Sequence, residues 1–139
     1  MLRQQIEKNM LAVISLVVAF SALGYNTWRN ELTEQNRNVR TAGFELLVHL
    51  GQLQQITYLA HYDRNMEEGN PRKGWSEVLV IQDLGQLIAA KQTLPTEALM
   101  QTWSEHWEGL GQNPESIRVI DESIGRLRQA TLSALRSLE

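Results

Sequence analysis

The chain has 139 residues, a formal net charge of −3, no cysteine, 42% apolar residues and 21% charged residues. That length admits one compact domain and little more. The weak negative charge gives no electrostatic basis for binding nucleic acid, which calls for a strongly basic face, and the lack of cysteine excludes disulfides, thiolate metal sites, covalent c-type haem and a Cys nucleophile.

The first element is a membrane segment. From Asn9 to Trp28 no residue is charged, and a window of about 20 residues is the length a helix needs to cross a bilayer core. About 70% of that window is apolar. Lys8 closes it on one side and Arg29 on the other. Tyr25 and Trp28 stand at its far end, where aromatic rings prefer the headgroup layer. Ser21-Ala22-Leu23 resembles a signal-peptide cleavage site only weakly, and helix-forming sequence continues through it. An uncleaved single-span anchor is therefore expected. Ser15 and Ala19 form a small-xxx-small pair, a spacing that lets helices approach closely. The charge is +1 before the span and −4 after it. The flanking Lys and Arg residues slightly favour the C-terminal side as cytoplasmic. A short tail before a first span commonly stays inside, however, and N-in, C-out is the expected orientation. In a bacterium that places a single-pass protein in the inner membrane, with the bulk of the chain in the periplasm.

The remaining helices follow from periodicity and punctuation. The three prolines, Pro71, Pro95 and Pro114, fall where helical periodicity breaks. The membrane helix continues without interruption, with Leu46, Leu50, Leu53, Ile56 or Leu59, and Ala60 on one face, and ends near Tyr62 or Asp63. The segment from Asn65 to Gly74 reads as a loop. A second helix starts either at Asn70-Pro71, with Asn as N-cap, or after Gly74 at Trp75 or Ser76. It carries Trp75, Val78, Leu79, Ile81, Leu84, Leu87 and Ile88; the long stripe outweighs a strand over Glu77–Gln82. Thr93-Leu94-Pro95-Thr96 is a turn with two threonine caps on offer, and a third helix runs from it to about Gly109. Asn113-Pro114 opens a fourth, with Ile117, Ile120, Ile124, Leu127, Thr131, Ala134 and Leu138 at heptad-like steps. The fold class expected is all-α: a single N-terminal transmembrane helix continuing into an antiparallel four-helix bundle. The divisions are a short tail over 1–8, the span over 9–28, a polar helical stalk over 29–38 and the bundle over 39–139.

The stalk rests on a mismatch. The fourth helix, of about 25 residues, spans roughly 37 Å, whereas the first, from Arg29 to Tyr62, spans roughly 50 Å. Between Arg29 and Asn38 only Leu32 is a large apolar residue, so this stretch cannot line a wide core. It is either a solvated, self-paired helix or a docking surface beside the membrane. In the second case its contacts are Trp28, Arg29, Asn30, Glu31, Arg37 and Arg40, since Trp and Arg are favoured interface anchors.

Catalytic patterns are missing. The chain has no Glu-x-x-His or His-Glu-x-x-His, so neither a di-iron carboxylate bundle nor a zincin site is expected. Glu45 and His49 stand four apart and His61 precedes Asp63, but neither pair completes a ligand set. Nucleophile-elbow, Walker and dinucleotide glycine patterns are absent too. Asp121 and Glu122 diverge by about 100° on a helix and make no acid–base pair. Trp103, His106 and Trp107 form an aromatic group that fits a small ligand pocket or a piece of core. No cofactor, metal or catalytic residue is expected.

Two functions remain. The first is a non-enzymatic accessory or scaffold subunit, held in the lipid bilayer and docking a membrane-protein partner, or a homo-oligomer, through stalk and bundle. The second is a periplasmic ligand-sensing bundle that signals through a separate partner. In architecture alone this second form resembles the helical sensor modules of bacterial transducers.

Overall fold

The computed structural model describes residues 2–138, with side chains from residue 9 to residue 138. Arg3, Glu7 and Lys8, which carry the charge of the 1–8 tail, lie outside the described side chains. The described residues form four α-helices and no strand: α1 (Leu2–His61), α2 (Pro71–Ile88), α3 (Thr96–His106) and α4 (Pro114–Arg136), with a 3₁₀ turn at Trp107–Gly109. The chain divides into two compact units, residues 1–37 and 38–139.

In the first unit every described side chain from Asn9 to Glu31 is exposed. Leu11 is 79% exposed and Phe20 65%. One 18-residue window here has a mean hydropathy of 1.7 with none of it buried, and α1 is long and apolar enough to cross a membrane. Its hydroxyls are turned back onto the helix. Ser15 donates to the Leu11 carbonyl at 2.8 Å, Thr27 to Leu23 at 3.0 Å and Thr33 to Arg29 at 2.9 Å. This back-bonding satisfies the side-chain donors without any outside partner.

The second unit is built around one core. Leu46, Leu50 and Leu53 of α1, Ile81 of α2, Leu99 and Trp103 of α3, and Ile120, Ile124 and Leu127 of α4 are all fully buried. Each such side chain contributes roughly 1.5–3 kcal/mol relative to exposure. The helices approach closely where glycine allows it. A Cβ at Gly74 would overlap the Trp103 ring, and one at Gly43 would lie 2.7 Å from the Leu135 side chain. Arg40, Gly43 and Gln54 of α1 meet Leu138, Leu135 and Asp121 in turn. Gly74 and Gly85 of α2 meet Trp103 and Thr96.

Caps explain the boundaries. Asn70 and Asn113 are N-caps in extended conformation, each accepting the amide two residues on, with proline in the first helical turn. Of the two starts open to the second helix, the Asn70-Pro71 one is used, because Gly74 is needed inside the helix against Trp103. The third helix stops at His106, short of Gly109, and tightens into the 3₁₀ turn. Neither Thr93 nor Thr96 caps it. Pro95 occupies the N-cap without a side-chain hydrogen bond, and Thr96 is instead buried with its side chain against Gly85. At the far end of α1, Asn65 accepts the amides of Glu67 and Glu68 at 3.1 Å each, closing the loop before α2. Gly111 adopts φ +84°, a left-handed conformation costly for a residue with a Cβ.

Candidate interaction surface

On the first unit, an α-helix of 3.6 residues per turn decides which of the candidate docking residues share a face. Asn30, Thr33, Glu34 and Arg37 do, and they line a shallow notch of about 230 Å³. Trp28 sits about 180° around the helix from Arg37, is 59% exposed and leans on Tyr25 with ring centroids 6.2 Å apart. Arg29 and Glu31 are exposed on the flanks. Arg40 belongs to the second unit, where its guanidinium reaches the Leu138 carbonyl at 3.5 Å. The six residues named from the sequence thus occupy different faces and both units. Asn30 and Arg37 come together, and Trp28 lies on the opposite side of the helix from Arg37.

The aromatic group on α3 is also divided. Trp103 is fully buried in the core, with its ring where a Cβ on Gly74 would lie. Its indole nitrogen finds no hydrogen-bond partner among the described residues. Trp107 is half-buried and meets Trp75 edge-on, with centroids 6.4 Å apart. His106 is half-buried at the end of α3. A separate open groove of about 430 Å³ lies between the end of α2 and the start of α3, lined by Gln86, Ala89, Thr93, Pro95 and Glu97 among others.

Polar contacts between helices emerge that local patterning could not reveal. His49 pairs through Nδ1 with Glu77 Oε2 of α2 at 2.7 Å, not with Glu45. Since the carboxylate accepts, Nδ1 carries the hydrogen. His61 plays the opposite part: its Nδ1 accepts the Gly111 amide at 3.3 Å and steadies the left-handed turn. On the α1–α4 seam, Asp121 accepts from Tyr58 and from Gln54, both at 2.9 Å, while Arg128 donates to the Gln54 amide oxygen at 3.0 Å. The hydrogen bond to Asp121, helped by burial and by the carboxylate charge, holds the Tyr58 hydroxyl above the ordinary phenol range. Glu122, the neighbour of Asp121, turns away and joins Arg118 and Glu115 on the solvent side. Arg118 lowers the Glu115 carboxyl by hydrogen bonding and charge. The one available sequence signal for the seam was spacing: Gln54 and Tyr58 are four apart, and Asp121 and Arg128 are seven apart.

Among the described residues, no group of three or more His, Asp or Glu side chains is arranged to hold a metal ion. No protein-family model, curated protein or solved structure matches the chain. The chemistry of these surfaces is therefore read from their own residues.

Proposed function

We propose that the chain is a non-enzymatic, single-pass membrane protein of the bacterial inner membrane, with residues 38–139 in the periplasm as an accessory or scaffold domain. The observation that carries the reading is the uncharged Asn9–Trp28 window, in which every side chain is exposed. Apolar side chains such as Leu11, Val17, Phe20 and Leu23 point around the whole circumference. A helix apolar on every side is matched by hydrocarbon, not by water. Tyr25 and Trp28 then sit at headgroup level.

Under this reading residues 38–139 form an antiparallel four-helix bundle. Its support is the opposed numbering of the α1–α4 and α2–α3 contacts. The polar stretch after the span docks a membrane-protein partner, and the notch between Asn30 and Arg37 supports that assignment.

The test is alkaline carbonate extraction of membranes from cells making the full chain, followed by intact mass measurement. The expected result is retention in the pellet at the full 15.9 kDa. A soluble protein shortened near Ala22 would instead mean a cleaved signal peptide. Alkaline phosphatase fused after Glu139 should be active for the proposed orientation and silent for the reverse.

A further inference from the structure

Within the second unit, α1 has two faces. Val39, Leu46, Leu53 and Ala60 recur every seven residues and are buried in the core. On the opposite side Phe44, Val48, Gly51, Gln55, Tyr58 and Tyr62 follow one another at alternating steps of four and three. At 3.6 residues per turn these six positions stay within about 80° of arc. Tyr62 stands one residue past α1 and keeps the helical hydrogen bond, from its amide to the Tyr58 carbonyl at 2.9 Å. Steps of four and three are those of a coiled-coil seam, yet Phe44, Val48, Tyr58 and Tyr62 remain 38–67% exposed. In the middle of the stripe a Cβ on Gly51 would meet nothing within 4 Å. Packing inside the domain therefore gives no reason for glycine, which weakens a helix relative to alanine.

We propose that this outer face pairs with the same face of a second copy of the chain, parallel and in register. Charge complementarity identifies the occupant. In a parallel seam, the residue just before one seam position faces the residue five places later on the partner helix. Arg40 and Glu45 stand in those two places, one on each flank of the stripe. A two-fold pair therefore brings Arg40 of each copy to Glu45 of the other. Both side chains are exposed. Arg40 reaches only as far as the Leu138 carbonyl, at 3.5 Å. His49, one turn beyond Glu45, is engaged by Glu77 instead. An antiparallel pair sets Arg40 beside the Tyr62 end of its partner, away from Glu45, so the charges select the parallel register.

The stripe itself suits self-pairing. Gln55 meets its own copy, and an amide both donates and accepts. Gly51 meets Gly51, where two backbones can approach closely. Phe44, Tyr58 and Tyr62 supply aromatic surface, which is enriched at interfaces. Covering the exposed parts of these three rings removes on the order of 300 Å² from each copy. With Val48, Gln55 and the flanking side chains added, two copies approach the roughly 1,000 Å² that a specific interface requires. The pairing goes beyond the membrane-span reading and does not depend on it. A shared bilayer would add a common direction and a raised local concentration.

The absence of native cysteine makes the test direct. Full-length chains bearing Val48→Cys or Tyr62→Cys, on the stripe, are oxidised beside Leu79→Cys and Leu87→Cys, at exposed apolar positions of α2. All four positions are exposed, so the fold tolerates each change. The stripe variants should form disulfide-linked pairs at least about tenfold more than the α2 variants, since a disulfide requires close Cα atoms. Equal linking at all four positions, no linking on the stripe, or linking to a different protein in place of a second copy overturns the proposal. Differently tagged Phe44→Cys and Tyr62→Cys chains are then mixed. Each should link to its own kind; preferential linking of one to the other means an antiparallel pair and overturns the register. In the Val48→Cys background, Arg40→Glu should weaken linking about fivefold by setting like charges together at two places. Adding Glu45→Arg should restore it, and failure to restore it also overturns the pairing. Carbonate extraction of the same samples separates the two readings. Retention in the membrane without stripe linking rejects the pair and keeps the span; stripe linking in a soluble protein keeps the pair and rejects the span.

Discussion

Helix α1 contains two apolar stretches that are treated in opposite ways. Over Asn9–Trp28 the apolar side chains point in all directions and are all exposed. Over Val39–Ala60 the buried ones form one stripe, Val39, Ala42, Leu46, Leu50, Leu53 and Ala60, while Phe44 and Val48 stay exposed off it. The two stretches differ in the angular distribution of their buried and exposed apolar residues as well as in charge. A one-sided stripe is covered by neighbouring helices, whereas an all-round one suits the lipid environment proposed above. The polar positions follow the same logic. In the first stretch hydroxyls bond back to their own helix, while in the second Gln54 and Tyr58 reach across to α4.

The largest expected effect sets these stretches against each other. Trp103→Ala should lower the unfolding free energy of the second unit by about 3–5 kcal/mol, since it empties a fully buried aromatic position. Leu16→Ala, at a residue 56% exposed, should leave that unfolding transition in place. Urea titration of both full-length variants in detergent, followed by circular dichroism, measures the difference. If Leu16→Ala shifted the midpoint as far as Trp103→Ala, the two stretches would not be energetically distinct.

A smaller effect is expected at the caps. Asn113→Ala should cost about 1 kcal/mol, because the Glu115 amide loses the acceptor it now has at 2.9 Å. Asn26→Ala, within an unbroken helix, should leave the same unfolding midpoint unchanged. Differential scanning calorimetry under one detergent condition compares the two.

The finest test concerns the α1–α4 seam. Of the three tyrosines, Tyr58 should ionise above the ordinary value of 10.0. Its hydrogen bond to Asp121 stabilises the protonated phenol. That contribution is complete below the unfolded value near 10 and is lost as pH rises through the higher folded value. Asp121→Asn, which removes the charge, should bring the Tyr58 titration back toward the ordinary range in ultraviolet difference spectra. An unchanged titration curve would mean that the seam contact is not formed in solution.

Much of the fold was legible because its signals are local. Asn-Pro caps, a stripe at three- and four-residue steps and an uncharged run each lie within one element. That is why the starts of α2 and α4 fall at Pro71 and Pro114 and why α1 ends at His61. What failed to show was contact between elements. Gly74 reads locally as a helix breaker, yet it serves inside α2 as the seat of a tryptophan from α3. Thr96 reads as a cap but packs against Gly85, and Thr57 is fully buried where Ile56 or Leu59 was expected to lead. Its hydroxyl is satisfied by the Leu53 carbonyl at 2.8 Å, which makes the residue as acceptable in the core as an apolar one. The docking residues were chosen by type and proximity in sequence. Their division between faces follows from helical rotation, which separates Trp28 from Arg37 by half a turn.

The Gly74–Trp103 contact has a consequence for how this domain can change over time. The indole nitrogen of Trp103 bonds to nothing among the described residues, so what the position requires is shape. That shape exists only because residue 74 has no side chain. The two positions are a single unit of variation. A larger residue at 74 is acceptable only alongside a smaller one at 103, and each change made alone passes through a less stable intermediate, overpacked in one order and hollow in the other.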